Sequence, residues 1–190
     1  MAVIRRNQIF NVGGNGITVG NCKDCIVENN VVYGGTQGIQ YPDPGNRCRS
    51  APHTAAMAEY TCSGNLPDSG GIVRNNTVFN GGPVTVNMVA GAGGGWVAVN
   101  NAVCGPGAAM KAGSGTALAG NLTATSCPKW FTKPSGDPAT ANFTPSETSP
   151  LVGAGSSASV GASFIGTQPW SATDGGVPPD SPPTIGAVRR

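Results

Sequence analysis

The chain has 190 residues, with 11 basic side chains, 9 acidic ones, a single histidine and a net charge of +2 spread without runs. No basic stripe is present to follow a phosphate backbone, so nucleic acid is excluded as a partner, and no stretch of about 18 apolar residues is present to span a membrane as a helix. Thirty glycines and 16 prolines would suit a disordered chain, but 38 % hydrophobic and only 11 % charged residues fit a turn-dense all-β protein instead.

A short pattern recurs along the chain: an apolar residue, a polar pair, asparagine, then an alternating apolar strand. It opens as Ile4-Arg5-Arg6-Asn7-Gln8-Ile9-Phe10 and returns as Val27-Glu28-Asn29-Asn30-Val31-Val32-Tyr33. Later copies are Val73-Arg74-Asn75-Asn76-Thr77-Val78-Phe79, Ala98-Val99-Asn100-Asn101-Ala102-Val103-Cys104, and a decayed Leu118-Ala119-Gly120-Asn121-Leu122-Thr123-Ala124. Before four of these markers lies a further short strand, at Gly16–Val19, Gly38–Tyr41, Pro83–Val86 and Ala108–Lys111. A period near 23 with two or three short strands per period predicts stacked coils of parallel sheet, since one coil cannot bury its apolar side alone. Asparagine suits the bends because it tolerates left-handed backbone, and its amide can bond to the same residue one coil away. A β-sandwich also has short, regularly spaced strands, but the fixed phase of the asparagines favours the solenoid.

The markers Asn30 and Asn76 are 46 apart, and the residues between Tyr41 and Gly70 lose the pattern to Pro, Gly, Cys and Ser. We therefore expect one rung carrying an inserted loop over 42–69. The expected architecture is all-β: a right-handed parallel β-helix of five to six rungs over 1–125. Residues 126–190, punctuated by Pro, Gly and Ser, form an irregular C-terminal closure of the same domain.

Six cysteines, Cys22, Cys25, Cys48, Cys62, Cys104 and Cys127, form an even set and point to disulfides and an oxidising compartment. Cys22 and Cys25 fit a local disulfide or two small core-facing thiols better than a redox or zinc site. Cys48 and Cys62 bracket the insertion, and Cys104 and Cys127 stand one period apart. The start, Met1-Ala2-Val3-Ile4-Arg5-Arg6, lacks the apolar segment of a signal peptide. The chain is thus expected to be an extracellular or cell-surface protein cut from a longer precursor. Ile4 enters a rung at once, leaving an open N-terminal coil through which a homodimer could form.

The repeated bends resemble those of right-handed parallel β-helix proteins of the pectate-lyase type. Residues Phe143 to Gly155 resemble the segment with which many secreted bacterial members close their last coil, with Gly153 where aspartate is common. Ile185-Gly186-Ala187 resembles their final strand. The resemblance implies an extracellular protein that works on a carbohydrate polymer. Two readings follow: a glycan-binding or stalk-forming module, or a polysaccharide lyase or epimerase acting on an acidic polymer.

Period-two alternation sends Thr18, Gln40 and Thr85 to the outer face of one strand file, and Asn87 and Lys111 follow on the same side if the last rung slips by one residue; with Tyr60 of the insertion these are the candidate sugar contacts. Lyase chemistry needs a base and a cation to stabilise an enolate-like intermediate. The candidates are His53 and Arg47 of the insertion, Arg74 and Lys111. Ca²⁺ serves many such lyases, but no acidic cluster is visible to hold it, so neither metal nor cofactor is assigned. Asn75, Asn121 and Asn142 each begin an Asn-x-Thr glycosylation pattern.

Overall fold

The computed structural model describes residues 2–19, 25–35, 37–40, 71–79, 87–90, 96–112, 117–156 and 186. Among these the chain is all-β, and its strands assort into three parallel sheets visited in turn. Sheet A stacks β1 (Val3–Arg5), β4 (Cys25–Glu28), β7 (Gly71–Arg74), β10 (Trp96–Val99) and β13 (Ala117–Ala119). Sheet B stacks β2 (Gln8–Val12), β5 (Val31–Gly34), β8 (Thr77–Phe79), β11 (Ala102–Cys104) and β14 (Leu122–Ala124). Sheet C stacks β3 (Asn15–Thr18), β6 (Gln37–Gln40), β9 (Asn87–Ala90) and β12 (Ala109–Ala112). Among the described residues the strands thus repeat five times, an arrangement consistent with a coil of five rungs. β4 pairs directly with β7, so the spacing of 46 is a single rung that carries additional chain.

The bend from sheet A to sheet B is the same device five times. Its first residue is left-handed: Arg6 (φ 59°), Asn29 (56°), Asn75 (49°), Asn100 (56°) and Gly120 (60°). Asparagine and glycine accept this backbone at low cost. The second residue is always asparagine, and its side chain joins a ladder. The Nδ2 of Asn7, Asn30, Asn76 and Asn101 donates at 2.8–2.9 Å to the Oδ1 of the asparagine one rung on. The backbone N–H of each donates to that same oxygen at 2.9–3.1 Å. The second Nδ2 hydrogen goes back to a carbonyl one rung earlier, as from Asn30 to Ile4 and from Asn76 to Val27. Asn30, Asn76 and Asn101 are fully buried, and the ladder is what makes that burial tolerable.

Alternation sends Val27, Val73 and Ala98 inward from sheet A, Val32, Val78 and Val103 from sheet B, and Ile17 and Ile39 from sheet C, into one aliphatic core. At the corner entering sheet C, glycine is required: a Cβ on Gly16 would strike Val32, and one on Gly38 would strike the methyls of Val78.

A second core lies outside the coil. Phe10, Tyr33, Phe79, Cys104 and Ala124 form one register file on the outer face of sheet B. The segment 127–151 folds over it as a clasp, bringing Cys127, Trp130, Phe131, Phe143 and Leu151 into a buried aromatic cluster. The clasp holds a small antiparallel pair, β15 (Phe131–Lys133) and β16 (Asn142–Pro145). Cys104 and Cys127 are disulfide-bonded, with Cα atoms 6.1 Å apart, which ties the clasp to the fourth rung. Cys25 is also disulfide-bonded; its partner, like Cys22, Cys48 and Cys62, lies outside the described residues.

The strand expected over 83–86 lies outside the described residues; β9 (Asn87–Ala90) aligns Met88 with Ile39 and Met110.

Candidate functional site

Sheet C carries the face on which sugar contacts are expected. Ile17, Val19 and Ile39 are buried, so alternation turns Thr18 outward, and Thr18 is exposed. Register then sets Gln40 beside Thr18, Val89 beside Gln40 and Lys111 beside Val89. At about 4.8 Å between strands, this file of four positions runs roughly 14 Å along the coil, the reach of two or three sugar rings. Val89 holds the place in this file that was expected for Thr85. Asn87 pairs with Ala109 and stands two residues before Val89, hence on the same face. Thr85, Tyr60, His53 and Arg47 lie outside the described residues. The 30 residues 41–70 that include the last three leave directly from the end of β6, beside Gln40.

Arg74 stands elsewhere. It ends β7 on sheet A, directly beside Glu28 on β4. Its Nε and Nη2 both reach Glu28 Oε2, at 2.8 and 2.7 Å. Arg5 approaches Oε1 of the same carboxylate at 4.0 Å from the other side. The carboxylate is buried while Arg5 is half exposed, so the triad is a charge ladder sealed on one side by the sheet. Such a pair stabilises by charge-assisted hydrogen bonds and loses far more if one member is removed. Glu28 escaped sequence reasoning as a partner, although the signal was available: aligning the repeats on Asn30 and Asn76 sets Glu28 against Arg74. The structure thus groups Thr18, Gln40, Asn87 and Lys111 on sheet C and sets Arg74 apart on sheet A.

Of the three glycosylation patterns, Asn75 is buried and Asn121 is committed to the ladder. Asn142 is exposed, its Oδ1 accepting the Thr144 N–H at 2.9 Å. Among the described residues no three His, Cys, Asp or Glu side chains gather as a metal site, and no helix is long and apolar enough to cross a membrane. Compared with protein-family models, with curated proteins and with solved structures, the chain matches none.

Proposed function

We propose that this chain is a right-handed parallel β-helix of the pectate-lyase type whose sheet C face holds a carbohydrate polymer outside the cell, as a binding or stalk module. The observation that carries the reading is the register file of sheet C, which aligns Thr18, Gln40 and Lys111 along the coil axis. Hydroxyl, amide and ammonium groups spaced along an extended strip match sugar hydroxyls and an occasional carboxylate. The oxidised Cys104–Cys127 pair supports a location outside the reducing cytosol. Non-catalytic binding is favoured because Arg74, one of the candidate cations for lyase chemistry, is bound to Glu28 on another sheet, which leaves Lys111 as the one candidate of that set in the sheet C file among the described residues.

Binding is tested on an array of neutral and acidic polysaccharides. Specific retention that falls at least fivefold in the Thr18→Ala/Lys111→Ala double variant supports the reading, and no retention on any polymer rejects it.

The second reading, a polysaccharide lyase or epimerase, is favoured by one observation: the segment 41–70, which contains Arg47 and the Cys48/Cys62-bracketed His53, follows directly on β6 after Gln40. Incubation with uronic-acid polymers, with and without Ca²⁺, followed by ultraviolet absorbance of the unsaturated product, tests the lyase. Absorbance that disappears in His53→Ala supports it, and a flat trace for every polymer ends it.

A further inference from the structure

Two of the left-handed asparagines do more than turn the chain. Either asparagine or glycine can supply this backbone, and the bends use both: Asn29, Asn75 and Asn100 in three rungs, Gly120 in the fifth. The choice follows contacts made outside the coil. Asn29 makes no side-chain hydrogen bond among the described residues. Asn100 instead holds Ser156 with both ends of its amide. Its Oδ1 accepts the Ser156 N–H at 2.7 Å, and its Nδ2 donates to the Ser156 carbonyl at 3.1 Å. This is the two-point pairing that one antiparallel strand residue gives its partner, here supplied by a side chain. The Asn100 carbonyl also accepts the Gly186 N–H at 2.9 Å. One buried corner residue thus holds two separate stretches of the C-terminal region by their main chains.

The glycine of the next rung makes room for that contact. A Cβ on Gly120 would stand 2.3 Å from Asn100 Oδ1 and 2.6 Å from the Ser156 nitrogen, in the space that the pair itself fills. A smaller version holds the clasp. Asn11 (φ 56°) lies at the irregularity in β2, and its Nδ2 donates to the Gly136 carbonyl at 3.0 Å. There too a glycine admits the approach: a Cβ on Gly136 would stand 2.7 Å from the Tyr33 ring and 3.2 Å from Asn11 Oδ1.

We infer that the C-terminal region is a strap buckled to the coil by side-chain amides of left-handed asparagines. Asn100 is the main buckle and Asn11 the second, and Gly120 and Gly136 are the notches that let the strap lie close. These amides belong neither to the inward ladder nor to any of the three sheets. The strap can therefore leave Asn100 while the coil stays intact, which makes it a releasable device and not another rung. The inference does not rest on glycan binding.

Amide hydrogen exchange on the full chain, resolved residue by residue, tests it. In the wild type the Ser156 N–H should be protected. Asn100→Gly keeps the left-handed backbone and removes only the amide. Ser156 should then exchange about twentyfold faster, the worth of two hydrogen bonds, while Val27, Val78 and Val103 stay as slow as before. Asn29→Gly makes the same replacement where no strap is held, and should leave Ser156 unchanged. Gly120→Asn gives the fifth rung the residue type of three other bends, yet it fills the notch and should release Ser156 as Asn100→Gly does. It also carries the test if Asn100→Gly loses its folded far-ultraviolet spectrum. A Ser156 N–H unprotected in the wild type, wild-type exchange at Ser156 in either releasing variant, or equal release by Asn29→Gly overturns the inference.

Discussion

Inside the coil, the packing is aliphatic and repeats rung by rung, with Val27, Val73 and Ala98 under one another and no aromatic ring among the members of that core. Over the outer face of sheet B the packing is aromatic and occurs once. Phe10, Tyr33 and Phe79 stack at 5.6–6.1 Å between centroids, and Phe143 closes on all three at 5.9–6.3 Å. The inner core is assembled from neighbours one period apart, whereas the outer core needs residues 127–151 to return over strands that precede them by up to about 130 positions. The inner core therefore gains from each added rung, while the outer one depends on a single docking event and on the disulfide that limits how far the clasp can stray.

The largest effect should come from the ladder, which belongs wholly to the repeating part. Asn76→Ala removes four side-chain hydrogen bonds at a buried position and strands the N–H and Nδ2 of Asn30 and the carbonyl of Val27. At about 1–3 kcal/mol per stranded group, partly relieved by relaxation, we expect a loss of about 4 kcal/mol in urea unfolding, with all strands affected together. Phe143→Ala should cost about 3–4 kcal/mol but divide the molecule: amide exchange should accelerate across 127–151 and remain slow in β5, β8 and β11. Uniform acceleration in both regions would show that the two cores are one cooperative unit.

Reducing the Cys104–Cys127 bond, or replacing both residues with alanine, opens a loop of 23 residues and should cost about 3 kcal/mol by the loop-entropy relation. The loss should again concentrate in the clasp and be read from thermal unfolding with and without reductant. The smallest effect is a local repacking. Gly38→Ala drives a methyl into Val78 and should cost about 2 kcal/mol, and Val78→Ala in the same chain should restore part of it, because each change makes room for the other. Additive losses in the double variant would place the strain elsewhere.

The same contrast governs what could be read from the sequence. The coil was legible because Asn7, Asn30, Asn76, Asn101 and Asn121 keep one phase, and a fixed phase is what a ladder requires. In the third rung the pairing of Met88 with Ile39 and Met110 sets Val89 in the outward file, a register that the alternation of Val84-Thr85-Val86 does not disclose. The aromatic core under the clasp was not legible. Phe10, Tyr33 and Phe79 occupy equivalent places in the repeat, yet nothing local says that Phe131 and Phe143 will cover them. Of the candidate site, the Thr18–Gln40 pair follows from alternation alone, whereas Lys111 joins the file through a one-residue slip that pairs Met110 with Met88. The capture of Arg74 by Glu28 depends on register across 46 residues.

The ladder is indifferent to what lies between its members. The Asn30–Asn76 bond is 2.9 Å across 46 residues, the Asn76–Asn101 bond 2.9 Å across 25, and the Asn101–Asn121 bond 2.8 Å across 20. Doubling the length of a connection adds only about 0.6 kcal/mol of closure entropy, little beside the hydrogen bonds of one buried rung. The rungs are therefore held in register by their own asparagines, and the length of the chain that joins two of them is free to vary.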